Sequence, residues 1–128
     1  MTFALLKSGR VRRIVLAYAL ASVVVWFAAS YPRGMLMAYI DHVCGHYEEK
    51  GWGYPAPWRH EYIRLLRERY GVEEDIVGDC MLWPTTEMYA EGCNDASGPL
   101  LVRKYGKDNF AECAAVAKQE WHAQHPDE

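Results

Sequence analysis

No carboxylate occurs before Asp41, although the chain of 128 residues holds 17 acidic side chains. The front is therefore purely basic, with Lys7, Arg10, Arg12 and Arg13 close together. From Met35 onward nine Lys or Arg stand against 17 Asp or Glu, a net charge of -8. A body of that sign argues against nucleic acid as a partner, because phosphate binding needs a basic surface. The four cysteines, Cys44, Cys80, Cys93 and Cys113, include no C-x-x-C pair, which argues against a zinc knuckle, a thioredoxin-like redox role and covalent haem attachment. No serine lies in a G-x-S-x-G context, and Ser97 precedes only Gly98-Pro99. Glu87, Glu91, Asp95 and Glu112 offer carboxylate pairs of the kind that hydrolyse glycosides, but any acidic helical domain offers them. The expectation is a protein that is not an enzyme and carries no cofactor. There is also no internal repeat, no low-complexity tract, and no strict alternation of the kind a half-buried strand shows.

The longest uncharged run reads IVLAYALASVVVWFAAS from Ile14 to Ser30, and Tyr31 and Pro32 extend it. At about 1.5 Å per residue it is near the lower limit for crossing a hydrocarbon core of roughly 30 Å. Basic residues gather before it and only Arg33 follows closely, which by the positive-inside rule puts the N-terminus in the cytoplasm and the remainder outside. Trp26, Phe27 and Tyr31 fall at the outer end, where amphipathic rings favour the headgroups. Ala17, Ala21 and Ala28 supply small residues for pairing of spans. The predicted organisation is a basic cytoplasmic segment over 1–13, a transmembrane anchor over 14–32 in contact with the lipid bilayer, and an extracytoplasmic domain over 33–128. A short span with a compact basic front suits a bacterial inner membrane with a periplasmic domain. The competing assignment is a signal peptide cleaved near Ala28-Ala29-Ser30, which leaves a secreted or periplasmic body.

An oxidising compartment changes how the cysteines read. An even number in a small domain implies two disulfides, and the preferred pairs are Cys80 with Cys93 and Cys44 with Cys113. The predicted fold is all-α: one transmembrane helix, then a small disulfide-stapled bundle of about four helices. Leu36, Ile40, Val43, Cys44 and Tyr47 recur at helical spacing, with Gly51 as the stop. A second helix carries Trp58, Tyr62, Leu65, Leu66 and Tyr70 on one face and ends at Gly71. Residues 72–84 read as a short helix or loop. A third helix starts near Thr85 or Thr86, places Tyr89, Cys93 and Ala96 together, and is broken or kinked at Gly98-Pro99. The last has Asp108 as N-cap and a stripe of Phe110, Cys113, Ala114, Ala117 and Trp121.

Two constellations stand out. Trp52, Tyr54 and Trp58 lie in a Gly- and Pro-rich stretch followed by Arg59, Arg64 and Arg67, and Trp, Tyr and Arg are the residue types that carry most binding energy at protein interfaces. They are the predicted partner-binding surface, for a protein partner at the membrane or in the periplasm. The roles that fit are accessory subunit of a membrane complex, inhibitor, immunity protein or lysis regulator. The alternative is a metal-binding or metal-delivery domain using His42 and His46, four apart on a helix, with His60, Asp41 or His122 as further ligands.

Overall fold

The computed structural model describes residues 9–126; Lys7 with the start of the basic segment, and the tail pair Asp127-Glu128, lie outside the described residues. Helices account for 71% of what is described, and in chain order the elements are α1 (Gly9–Ala28), α2 (Ser30–Val43), β1 (Tyr47–Trp52), α3 (Arg59–Tyr70), β2 (Val72–Gly78), α4 (Pro84–Tyr105) and α5 (Asn109–Gln124). Five helices and two strands correct the all-α expectation.

α2 follows α1 directly, across a break at Ala29. Ala29 N–H still donates to Val25 O at 2.8 Å, and Arg33 N–H to Ala29 O at 3.0 Å. Pro32 explains the interruption, since its ring lacks the N–H that Ala28 O would accept and crowds that carbonyl. α1 buries none of its side chains and is long and apolar enough to cross a membrane. α2 packs along α4 through its small residues, with Ser30, Gly34 and Ala38 buried. This reverses the sequence expectation for α2, whose spaced Leu36, Ile40 and Val43 are exposed. The crossing is close: a Cβ on Gly34 would stand 3.0 Å from Cys93 N and nearer still to Tyr89 O, and one on Gly92 would stand 3.2 Å from Met35 N.

β1, α3 and β2 make a βαβ unit whose strands pair in parallel from Tyr47 opposite Val72 to Trp52 opposite Gly78, with a shift between Gly51 and Trp52. α2 stops short of Tyr47 because Gly45 takes a left-handed backbone at φ 77. On the α3 side of the sheet Glu49 accepts a hydrogen bond from Tyr62 Oη at 2.7 Å, and Glu74 is paired bidentately with Arg59. Glutamates therefore occupy the central inward positions, beyond the apolar Tyr47 and Val72, which hides the alternation a strand normally shows.

The main core joins this unit to α5 and the end of α4: Leu65, Leu66, Tyr70, Val72, Leu101, Cys113 and Ala117, ringed by Tyr47, Trp58, Tyr62, Tyr105, Phe110 and Val116. Gly71 ends α3 at φ 64 with its N–H on Arg67 O, and Asp108 caps α5 through Ala111 N–H at 3.0 Å, both as expected. α4 runs unbroken through Pro99. Gly98 permits this, because a Cβ on the residue before proline is what opposes helical geometry there.

No disulfide forms among the described residues, so the Cys80 with Cys93 and Cys44 with Cys113 pairs are corrected to four free thiols. Cys93 is buried in the α2–α4 contact, where its Sγ donates to Gly34 O at 3.3 Å. Cys113 is enclosed in the main core, while Cys44 and Cys80 face solvent. Burial pushes the Cys93 and Cys113 thiols up, away from the thiolate that exchange chemistry requires.

Candidate functional site: an apolar strip and an aromatic groove

Every turn of α2 presents an apolar side chain away from the body. Leu36, Met37, Tyr39, Ile40 and Val43 are all exposed, Val43 to 85%. The pattern follows from the crossing. Glycine and alanine on the inner face let the two backbones approach, so the bulky residues at the intervening positions are turned outward. The strip begins at Leu36, beyond both the end of α1 at Ala28 and the exposed Arg33. Single exposed apolar residues are ordinary on protein surfaces, and a helical stripe of them is a candidate contact surface.

The second feature is a groove of about 290 Å³ between β1, the start of α3 and α4, walled by Trp52, Trp58 and Tyr62 and floored by Arg59, Glu74 and Asn94. Asn94 fixes the strand to α4: its Oδ1 accepts from Lys50 N–H and its Nδ2 donates to Lys50 O, both at 2.8 Å. Lys50 Nζ in turn holds Glu48 at 2.6 Å and Asp75 at 2.7 Å. That partnership holds the Glu48 carboxyl below the usual range and raises the Lys50 ammonium, outweighing the opposing effect of burial on each. Burial pushes Glu49 up, reinforced by Glu74 across the sheet and opposed by the Tyr62 hydrogen bond. Burial likewise raises Tyr62, with the adjacent Glu49 adding to it. The Arg59–Glu74 pair, with side chains only 15% and 5% exposed, is a fixed strut.

Of the predicted partner-binding residues, the structure brings Trp52, Trp58 and Arg59 to this groove and leaves the others apart. Tyr54 projects at 89% exposure. Arg64 lies along α3 on Glu68 at 3.0 Å and Glu120 at 2.9 Å, and Arg67 is exposed on the same helix. Trp58 packs against the main core, which makes it a structural residue first.

His42 and His46 do not share a helical face, because α2 ends between them at Val43. His46 Nε2 is hydrogen-bonded to Glu48 at 2.7 Å, an interaction that raises its pKa. His42 stacks edge-on against Tyr47 at 5.2 Å, and its buried Nδ1 has no hydrogen-bond partner. Both line a cavity of about 10 Å³, room for a single water. Among the described residues no group of three or more His, Cys, Asp or Glu is placed to hold a metal ion. Sequence reasoning missed two exposed apolar residues beside the start of α4, Met81 and Trp83; the Trp-Pro step that opens the helix was the available signal.

Comparison of the chain with protein-family models, curated proteins and solved structures finds no match.

Proposed function

We propose that this chain is a single-pass, membrane-anchored protein-binding module that is not an enzyme, with its N-terminus in the cytoplasm and its body outside, in the setting of a bacterial inner membrane. Its outer α2 strip holds the partner, itself a membrane protein, so that the chain serves as an accessory subunit. The observation that carries this reading is the strip of Leu36, Met37, Tyr39, Ile40 and Val43, exposed on the helix that directly follows the apolar helix α1. Its position favours a partner that rises from the same bilayer. A helix laid along it would meet anchors at i, i+4 and i+7, the spacing by which helices dock into one another.

The test is photo-crosslinking in native membranes from a benzophenone side chain at position 40. The reading expects a discrete protein adduct that disappears when Leu36→Asp and Val43→Asp are added. Adducts to lipid alone, or an adduct indifferent to those two substitutions, would overturn it. An adduct of twice the chain's own mass would replace the partner subunit by a second copy.

A further inference from the structure

We infer that the body also sits down on the bilayer surface, with the loop before α4 and the tip of the loop after β1 entering the headgroup region as a second membrane contact. This rests on α1 as the anchor. α2 and α4 run in the same direction. At one end of their contact the Arg33 guanidinium lies 5.0 Å from the Trp26 ring and 5.2 Å from the Tyr89 ring. In the middle Gly34 meets Tyr89 and Cys93, and at the far end Ala38 and His42 share a cavity with Ser97 and Leu101.

Two parallel helices climb at equal rise, about 1.5 Å per residue. Counting back along both from the Gly34 crossing brings Trp83 level with Trp26, at the outer end of the apolar run. There Trp83 is 80% exposed and Met81 89% exposed. The Trp83 backbone is fixed at the start of α4, since its carbonyl accepts from Thr86 N–H at 2.9 Å and Glu87 N–H at 3.0 Å. β1 descends beside α4, from Lys50 at Asn94 to Trp52 at the hollow it shares with Met81 and Glu87. The Tyr54 loop is thereby lowered to the same level, and Gly53 N–H donating to Asp79 O at 3.0 Å ties the two loops together.

Trp and Tyr prefer this depth, where the ring is half in hydrocarbon and the polar edge meets headgroups. Asp79 and Glu87 flank the loop and no cation lies between Gly78 and Gly92. The contact is therefore carried by Trp83, Met81 and Tyr54 rather than by loop cations, so it does not require anionic lipid and persists in high salt, unlike a polybasic attachment.

The test places the full chain in phosphatidylcholine vesicles whose acyl chains are brominated near the headgroup, and reads quenching of tryptophan emission in the wild type, Trp26→Phe and Trp83→Phe. Trp83 is exposed, so its replacement leaves the fold in place. The expected result is that Trp83→Phe removes a quenched component comparable to the one removed by Trp26→Phe, unchanged in high salt. Loss of a quenched component with Trp26→Phe alone overturns the second contact and leaves the anchor standing. No quenched component at either position overturns the anchor and the seating together.

Discussion

Replacing Gly34 by alanine tests the packing on which the rest of the arrangement depends. The new Cβ would stand 3.0 Å from Cys93 N and closer to Tyr89 O, and both are backbone atoms of α4 that no rotamer change can move aside. α2 and α4 must therefore separate. A radial gap of 0.5–1 Å forfeits about a quarter to a half of each dispersion contact along the seam, and the Cys93 thiol's hydrogen bond to Gly34 O, 3.3 Å long, is stretched with it. Overpacking of this kind costs about 1–3 kcal/mol, and the absence of any side-chain slack at Gly34 places it at the upper end, about 3 kcal/mol. A small part is returned, because alanine is favoured over glycine in a helix by up to about 1 kcal/mol. The assay is urea unfolding of the full chain in mild detergent, read by tryptophan emission. Gly34→Ala should lower the midpoint with little change in slope, and adding Gly92→Ala should cost less than its single value, because both widen one seam. A Gly34→Ala protein within about 0.5 kcal/mol of wild type would refute the close crossing and the levels counted from it.

Arg59→Met leaves Glu74 as a buried carboxylate without its partner and should cost about 3–5 kcal/mol, whereas Arg59→Met combined with Glu74→Leu should recover most of the loss; thermal unfolding of the two variants decides it, and a harmless single variant would show the pair to be solvated. Burial raises the Glu49 carboxyl above its ordinary 4.5, so the folded state holds that proton more tightly than the unfolded state. Stability is diminished above the folded value and regained as pH falls through it. Glu49→Gln keeps an acceptor for Tyr62 Oη and should be more stable than wild type at neutral pH and above, an advantage that shrinks on acidification toward 4.5. An advantage that grows instead as the solution is acidified would mean that the folded pKa is lowered.

The helices of the body were legible in the sequence wherever one apolar stripe meets one core. α3 carries Leu65, Leu66 and Tyr70 inward as their spacing requires, and α5 does the same with Cys113 and Ala117 behind the Asp108 cap. The strands were not legible, because the inward positions of β1 and β2 hold Glu49 and Glu74. Those two are made compatible with burial only by Tyr62 and Arg59, which arrive from α3. α2 misled for a different reason. Periodicity identifies that a helix has an apolar face, but it does not say whether that face or the small-residue face meets the neighbour. Gly34 and Ala38 took the neighbour, and Leu36, Ile40 and Val43 were left outside. The aromatic run and the arginines after it are dispersed by the fold. Trp52, Trp58 and Arg59 share a groove, while the helical repeat of α3 carries Arg64 and Arg67 to its solvent side.

The two halves of the body are held by different physics, and the difference bears on where each stands. The α3–α5 core relies on large side chains withdrawn from water, a driving force that exists only where water is the alternative. The α2–α4 seam relies on glycine, alanine, serine and a buried thiol, with backbones close enough for carbonyls to meet the opposing helix; this is the packing that membrane helices use, because it does not depend on excluding water. Such a seam keeps its strength at a bilayer surface. In the proposed seating, this seam belongs to the half of the body which follows α1 and, through the parallel course of α4, brings Trp83 to the level of Trp26. With α1 in a bilayer, as proposed, the water-dependent core on α5 and the far end of α4 and the water-independent seam next to α1 each meet the surroundings in which they are stable.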